Sequence, residues 1–250
     1  MTAKTNLQAL LLDVDGTLAD TEGEGHLPAF NQAFEAHGLP HRWDAATYRR
    51  LLAAVPGGRE RLQHALEAEP PPAGLPATEA LARQLHETKN RLYAQRLRAG
   101  HIPPRPGVER IVAAAAEAGV RLAVVTTSAR ANVEALFESV LSPSTRAAFE
   151  LMITADEVAT KKPAPDAYQA ALAGLALPAE ACLAVEDSAN GLQAALAAGI
   201  PTLITRNTWT REEDFTGAAA VIDHLDDDGS GTPVSLGRLA EIHARAVTGQ

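Results

Sequence analysis

The chain has one cysteine, Cys182, among its 250 residues. That excludes an intramolecular disulfide and any cysteine-based zinc pattern. Cys182 lies in the apolar stretch Cys182-Leu-Ala-Val185, where packing in a core is its expected role. Positive charge is also short. The chain has 22 Lys and Arg against 31 Asp and Glu, a net charge of −9. Such a balance argues against a dedicated nucleic-acid binder or membrane-surface binder. No apolar stretch is long enough to span a bilayer. The opening Met1-Thr-Ala-Lys-Thr-Asn6 lacks the apolar core of a secretory signal, so a reducing, cytoplasmic setting is expected.

What is present fits a globular protein. Hydrophobic residues make up 46% and charged residues 21%, both ordinary values. The length suffices for one large domain, or for one domain with an insertion. The most informative segment is Leu7-Gln-Ala-Leu-Leu-Leu-Asp-Val-Asp-Gly-Thr-Leu-Ala-Asp20. An apolar run that ends at Gly-Thr reads as a buried strand, here over 7–14. Side chains alternate along a strand, so Asp13 and Asp15 face the same way where it frays into a loop. Open α/β sheets place their chemistry at the carboxyl ends of such strands. Close carboxylates resist joint ionisation, which leaves one as nucleophile or metal ligand and lets the other keep a proton.

From about 20 to 100 the sequence is helical in character. Leu81, Leu85, Leu92 and Leu97 suit one helix face, with Lys and Arg on the other side. Glu69-Pro-Pro-Pro-Ala-Gly-Leu-Pro76 is a loop that divides this block, and Gly100-His-Ile-Pro-Pro-Arg-Pro-Gly107 closes it. The pattern then alternates. Val108, Ile111, Val112 and Ala115 mark a helix with Gly119 at its end. Strands are expected at 121–125, 149–153, 182–185 and 200–205. Helices are expected at 132–141, 164–175 and 189–198. This alternation predicts an α/β fold, a doubly wound parallel sheet with helices on its faces. Residues 1–19 and 101–250 form the expected core, and 20–100 an inserted helical domain. Asp226-Asp-Asp-Gly-Ser-Gly231 lacks the ligand spacing of a calcium loop and reads as a solvated loop.

Three further strand ends carry polar groups. Thr126, Thr127 and Ser128 follow the 121–125 strand at a helix entrance, where hydroxyls and backbone N–H groups bind phosphate or simply cap the helix. The next loop holds Lys161-Lys162-Pro163. The strand at 182–185 leads into Glu186-Asp187-Ser188, carboxylates that suit a hard cation such as Mg²⁺ or complement a helix dipole. Taken singly, each has an ordinary structural explanation. Their order along the chain does not: Asp-x-Asp, then Thr, then Lys-Pro, then Glu-Asp, each closing a different strand or its loop.

That order resembles the haloacid dehalogenase superfamily. Asp13-Val-Asp15-Gly-Thr17, Thr126, Lys162 and Glu186-Asp187 match its four motifs over nearly the whole chain. An acid at Asp15 points to phosphoryl transfer, since dehalogenase members lack one there. The resemblance implies that Asp13 attacks phosphorus and forms an aspartyl-phosphate. It implies that Asp15 protonates the leaving oxygen and then takes a proton from water, which calls for a raised pKa. Asp13, the backbone carbonyl of Asp15, Asp187 and Glu186 would hold Mg²⁺. Thr126 and Lys162 would hold the phosphoryl oxygens. Lys162 is preferred to Lys161 because it directly precedes the proline.

The inserted block carries Asp20-Thr-Glu-Gly-Glu-Gly-His26, Trp43-Asp44, Tyr48, Pro56-Gly-Gly-Arg-Glu-Arg-Leu62 and Lys89-Asn-Arg-Leu-Tyr93. With these it looks like that of the CbbY-type branch, phosphatases of xylulose 1,5-bisphosphate, with β-phosphoglucomutase as a mechanistic relative. Such a cap would exclude water and supply substrate contacts. Candidate contacts are Glu22, His26, Tyr48, Gly57, Gly58, Arg59 and Lys89, with Thr127 and Ser128 in the core. Gly57 and Gly58 leave backbone N–H groups approachable, Arg59 offers a forked donor for a second phosphate, and Lys89 adds a point charge. Without the resemblance, Arg59 and Arg61 would read as solvating a helix face. Glu22 and His26, four apart, share a helix face, although Gly23-Glu24-Gly25 weakens that helix start.

The expected partner is a small phosphorylated sugar, with no nucleic acid and no membrane, in a monomer or weak homo-oligomer. Two other readings stay open. A hexose-phosphate mutase would use the same residues but needs a longer-lived aspartyl-phosphate. A phospho-accepting signalling module also sets Asp, an acid pair, Thr and Lys around a parallel sheet. Such modules do not place the acceptor two residues from an acid on the first strand, and they lack a large inserted block.

Overall fold

The computed structural model describes residues 7–55, 57–72, 75–100 and 102–249. Outside them fall Met1 to Asn6, Pro56, Ala73 and Gly74 of the first proline-rich loop, His101 of the second, and Gln250. The chain divides into two compact units, one of Met1–Asp20 with Pro103–Gln250, the other of Thr21–Ile102.

The first unit is built on six strands: β1 (Ala9–Leu12), β2 (Arg121–Val125), β3 (Leu151–Ile153), β4 (Cys182–Glu186), β5 (Thr202–Thr205) and β6 (Ala220–Ile222). They run in the order β3-β2-β1-β4-β5-β6, and each pairing is parallel. This is the doubly wound arrangement, with its reversal of strand order beside β1. β1 and β4 are buried along their whole length, as strands covered on both faces must be. Ala9, Leu11, Ala123, Val125, Cys182 and Ala184 share one core layer with Ala167, Tyr168, Ala171, Ala194 and Ala195. Those last five come from α8 (Asp166–Leu175) and α9 (Ala189–Ala197). Cys182 is a packed core residue, and burial pushes its thiol up to about 11.

The helix pattern at 108–115 becomes α5 (Val108–Glu117). Gly119, at φ +72°, takes the left-handed turn that ends it. β1 is shorter than the expected 7–14, but Asp13 N still donates to Val185 O at 3.0 Å, so the ladder runs one residue further. Helix α6 spans Arg130–Val140. Helix α8 begins at Asp166 because Pro165 occupies its cap. The expected set of elements lacks α7 (Pro143–Ala148), β6 and α10 (Leu236–Thr248). α7 and β6 are six and three residues long, too short to show a period. The 226–231 stretch is a loop whose Asp227 and Asp228 accept from its own backbone N–H groups.

In the second unit, the described residues form a π-helical turn (Glu22–His26) and helices α1 (Leu27–Ala36), α2 (Ala45–Ala54), α3 (Gly58–Ala68) and α4 (Thr78–Arg98). The buried stripe of α4 is Leu81, Leu85, Lys89, Tyr93 and Leu97. It corrects the expected face in two ways: Leu92 is only half-buried, and Lys89 lies inside rather than opposite. The residues of this stripe stand four apart, one ridge of the helix, and leucine content alone does not reveal that ridge. Among the described residues, no helix is long and apolar enough to cross a membrane.

Candidate active site

The sheet order sets β1 between β2 and β4, so their carboxyl ends converge. Asp13 follows β1, Thr126 follows β2, and Glu186 closes β4. All three are buried, as are Lys162 and Asp187. Lys162 Nζ donates to Asp13 Oδ1 at 2.7 Å, to Glu186 Oε1 at 2.5 Å and to Val125 O at 2.7 Å. Its three donors are thereby spent on two carboxylates and the end of β2. The preceding Lys161 is half-buried. Tyr168 Oη, from α8, donates to Glu186 Oε1 at 2.6 Å. Gly191 of α9 leaves room for the Glu186 carboxylate, since a Cβ there would overlap it.

The electrostatics follow from crowding. Burial pushes the Asp13 carboxyl up to about 8; Glu186 and Asp15 add to the rise, and Lys162 opposes it. Burial likewise drives Asp187 well above the usual carboxylate range, helped by Asp13 and Glu186. Against the pull of burial, Asp13 and Glu186 hold Lys162 above the ordinary lysine value. Lys162 pairs directly with two of the three acids, and Asp187 has only the more distant charge of Arg105, so the ionised cluster is short of positive charge.

Carboxylate oxygens of Asp13, Glu186 and Asp187 lie within 4.8 Å of one another. Glu186 Oε2 is buried and has no hydrogen-bond partner among the described residues. An orphaned carboxylate oxygen inside a cluster of net negative charge is what a hard divalent cation satisfies, so the donor set fits Mg²⁺.

Asp15 accepts a hydrogen bond at Oδ2 from Ser128 Oγ. Ser128 N in turn donates to Thr126 Oγ1 at 3.1 Å. Thr127, between them, is half-buried. The hydroxyl segment after β2 is therefore tied to the loop after β1.

The remaining candidates lie in the second unit. Tyr48 Oη donates to Glu22 Oε2 at 2.5 Å. His26 stacks on Tyr93, with ring centroids 4.1 Å apart. Lys89 Nζ lies 5.1 Å from the Phe30 ring centroid and 5.0 Å from that of Tyr93. Phe30 packs against Tyr48 and so joins the two groups. Glu22 and His26 begin and end a π turn closed by Leu27 N donating to Glu22 O. Gly25 is needed there, because a Cβ would press on Tyr93 and Ile102, each at 2.8 Å.

Arg59 is exposed and pairs with neighbouring Glu60 at 3.5 Å. Gly57, at φ +89°, and Gly58 begin α3 beside it. The solvated-face reading of Arg61 is wrong. Arg61 is buried against the Tyr48 ring, and it donates to Tyr48 Oη at 3.4 Å and to Val55 O at 3.3 Å. Sequence reasoning also missed Arg105, Tyr168 and Asn207. Buried Arg105 donates to Gly16 O at 2.5 Å, Thr205 O at 3.1 Å and Arg206 O at 3.0 Å, and also to Asp223 O. It thus binds together the loops after β1, β5 and β6.

A doubly wound sheet with this acid pair, lysine and glutamate-aspartate cluster defines a haloacid dehalogenase-type hydrolase. The family model for haloacid dehalogenase-like hydrolases matches residues 7–199, and the chain belongs to that family, as an enzyme of its phosphatase kind. Within the family it is similar to CbbY proteins. It is 48% identical over 229 residues to the plasmid CbbY protein of Cupriavidus necator, covering 91% of this chain and 89% of that one. Its fold matches the crystal structure of CbbY from Rhodobacter sphaeroides in complex with phosphate, with a TM-score of 0.83 and 39% identity over 93% of this chain and 99% of that one. A mutant of the same protein in complex with xylulose 1,5-bisphosphate matches with a TM-score of 0.80 and 40% identity, covering 87% of this chain and 94% of the other.

Proposed function

We propose that this chain hydrolyses one phosphate of a sugar bisphosphate, most specifically xylulose 1,5-bisphosphate, with Mg²⁺ as cofactor. The observation that carries the reading is the buried cluster of Asp13, Glu186 and Asp187, of which Lys162 pairs with the first two, with Glu186 Oε2 orphaned among the described residues. Asp13, Glu186, Asp187 and the carbonyl of Asp15 would hold the cation. When bound, it neutralises phosphate charge and restores the balance of the cluster.

The remaining steps belong to the chain itself. Asp13, as carboxylate, attacks phosphorus in line, and the bond from phosphorus to the ester oxygen breaks. Asp15 gives its proton to the leaving oxygen. Water then attacks phosphorus, Asp15 takes the water proton, and the bond from Asp13 to phosphorus breaks, releasing phosphate. Lys162 keeps Asp13 oriented and offsets charge on the phosphoryl oxygens, with Thr126 and Thr127 as further donors to them. Ser128 holds Asp15 in position through its hydroxyl.

The second unit, taken by itself, holds a further set of groups suited to a phosphorylated sugar. Two buried cations, Arg61 and Lys89, lie with Tyr48, Glu22 and His26 in one connected cluster. Cations suit a second phosphate, and Glu22 and His26 suit sugar hydroxyls. Gly57, Gly58 and Arg59 at the start of α3 add donors at the edge of this cluster. We read residues 21–102 as the cap of the enzyme and place the protein in a reducing, cytoplasmic compartment.

The test is a panel of phosphorylated sugars in which released phosphate and isomerised product are both read. Phosphate release that is fastest with the bisphosphate supports the proposal. Isomerisation of a hexose phosphate without net phosphate release would support a mutase instead.

A further inference from the structure

Asn207, just beyond β5, is held from both ends of its amide. Oδ1 accepts from Trp209 N at 2.8 Å and from Thr210 N at 3.2 Å. Nδ2 donates to Asp187 Oδ2 at 2.7 Å and to Gly16 O at 3.3 Å. The four contacts fix the amide one way round. A flip would set an oxygen against a carboxylate and a carbonyl, and a nitrogen against two N–H donors. The contact also needs a glycine beneath it. A Cβ on Gly16, at φ +85°, would overlap Asp187 Oδ2 and stand 2.7 Å from Asn207 Nδ2. Arg105 steadies the same Gly16 carbonyl.

We propose that Asn207 is a positioning residue for Asp187: its amide occupies Oδ2, so that Oδ1 is presented with Asp13 and Glu186 to a divalent cation. The proposal rests on the reading of these three acids as the Mg²⁺ site. No motif marks Asn207; it lies 20 residues beyond Asp187 and 191 beyond Gly16. Groups that orient a metal ligand typically carry 10- to 100-fold in metal affinity.

The experiment is calorimetric titration of the full-length protein with Mg²⁺, together with metal-free melting. The proteins are wild type, Asn207→Ser, Asp187→Asn and the double variant. Serine keeps an oxygen for the turn at Trp209 and Thr210 but lacks the amide. The expected result is about 10- to 100-fold weaker Mg²⁺ binding by Asn207→Ser, with little change in metal-free melting. Its turnover should approach wild type as Mg²⁺ is raised. In the Asp187→Asn background, Asn207→Ser should cost nothing further, because the two residues act as one unit. If the serine variant does not fold, Asn207→Leu, which keeps the volume and has no donor, should show the same loss of affinity. Wild-type affinity in a folded Asn207 variant would overturn the proposal, as would equal losses in both backgrounds. No Mg²⁺ uptake by the wild type would overturn both the cation site and the role of Asn207. Uptake by the wild type with unchanged affinity in the variant would overturn the role of Asn207 alone.

Discussion

Lys162 Nζ and Asp13 Oδ1, 149 residues apart in sequence, form a buried ion pair at 2.7 Å. The same ammonium bridges to Glu186 at 2.5 Å, so it is the positive charge that lets the cluster fold. Lys162→Met should therefore unfold more easily in chelator. Breaking a buried pair costs about 3–5 kcal/mol. Mg²⁺ should return part of that loss by supplying charge. Denaturant melts with and without Mg²⁺ test this; equal midpoints for wild type and variant in chelator would mean that Lys162 carries no such role.

Gly191→Ala opposes two effects. Glycine inside a helix costs roughly 1 kcal/mol relative to alanine, so propensity alone favours the substitution. Here the added methyl would run into the Glu186 carboxylate. Glu186 is pinned by Lys162 and Tyr168 and cannot give way freely. The expected outcome is lower stability and weaker Mg²⁺ binding, read by thermal melts across a Mg²⁺ series. A more stable variant with full Mg²⁺ response would mean that the carboxylate moves at no cost.

Arg61 and Arg59 should behave differently. Arg61 is buried beside Tyr48, while Arg59 is exposed. Loss of a charged contact to phosphate costs about 2–3 kcal/mol, roughly 30- to 150-fold in kcat/KM. Arg61→Ala should lose on that scale with a sugar bisphosphate, and far less with p-nitrophenyl phosphate. Arg59→Ala should lose less than Arg61→Ala with the bisphosphate. Equal losses for Arg61→Ala on both substrates would remove it from second-phosphate binding.

His243 should make the fold acid-sensitive. It is buried, its Nε2 donates to Glu180 O at 2.9 Å, and its Nδ1 has no hydrogen-bond partner among the described residues. Burial lowers its pKa below the ordinary 6.5. The unfolded chain then binds the proton more tightly than the fold does. His243 accordingly gives its full stability above about pH 6.5 and loses it as pH falls toward the depressed folded value. Denaturant midpoints between pH 7.5 and 5.5 should fall less steeply for His243→Gln than for wild type. Parallel slopes would show that His243 is not the group that titrates.

The strands and the acids at their ends were legible because their information is local. An apolar run, a Gly or Pro stop and a polar pair at the break mark Asp13, Asp15, Thr126, Lys162, Glu186 and Asp187. The structure brings these residues together because β1 lies between β2 and β4. Contacts across long chain distances leave no such mark. Arg105 reaches Gly16, Thr205 and Asp223 from what reads as a proline-rich connection. Asn207 reaches Asp187 from an unremarkable turn. Arg61 and Arg59 stand two apart at the start of one helix, and only packing against Tyr48 distinguishes the buried one. Helix α10 does carry a local signal, with Ser235 as its cap and Leu239, Ala240, Ile242 and His243 on one buried face, but it lies beyond the last alternating strand and helix that the sequence reading assigns.

The measurement closest to the central claim is phosphate release from xylulose 1,5-bisphosphate by wild type and Asp13→Asn, at saturating Mg²⁺ and in excess chelator. Asparagine keeps the shape of the residue, removes the nucleophile, and takes one charge out of a crowded cluster. The account predicts Mg²⁺-dependent release by wild type. It predicts less than about a thousandth of that rate from a fully folded Asp13→Asn, the scale expected for an essential group. Turnover by Asp13→Asn above that level, or full wild-type activity with the metal shown to be absent, would contradict it.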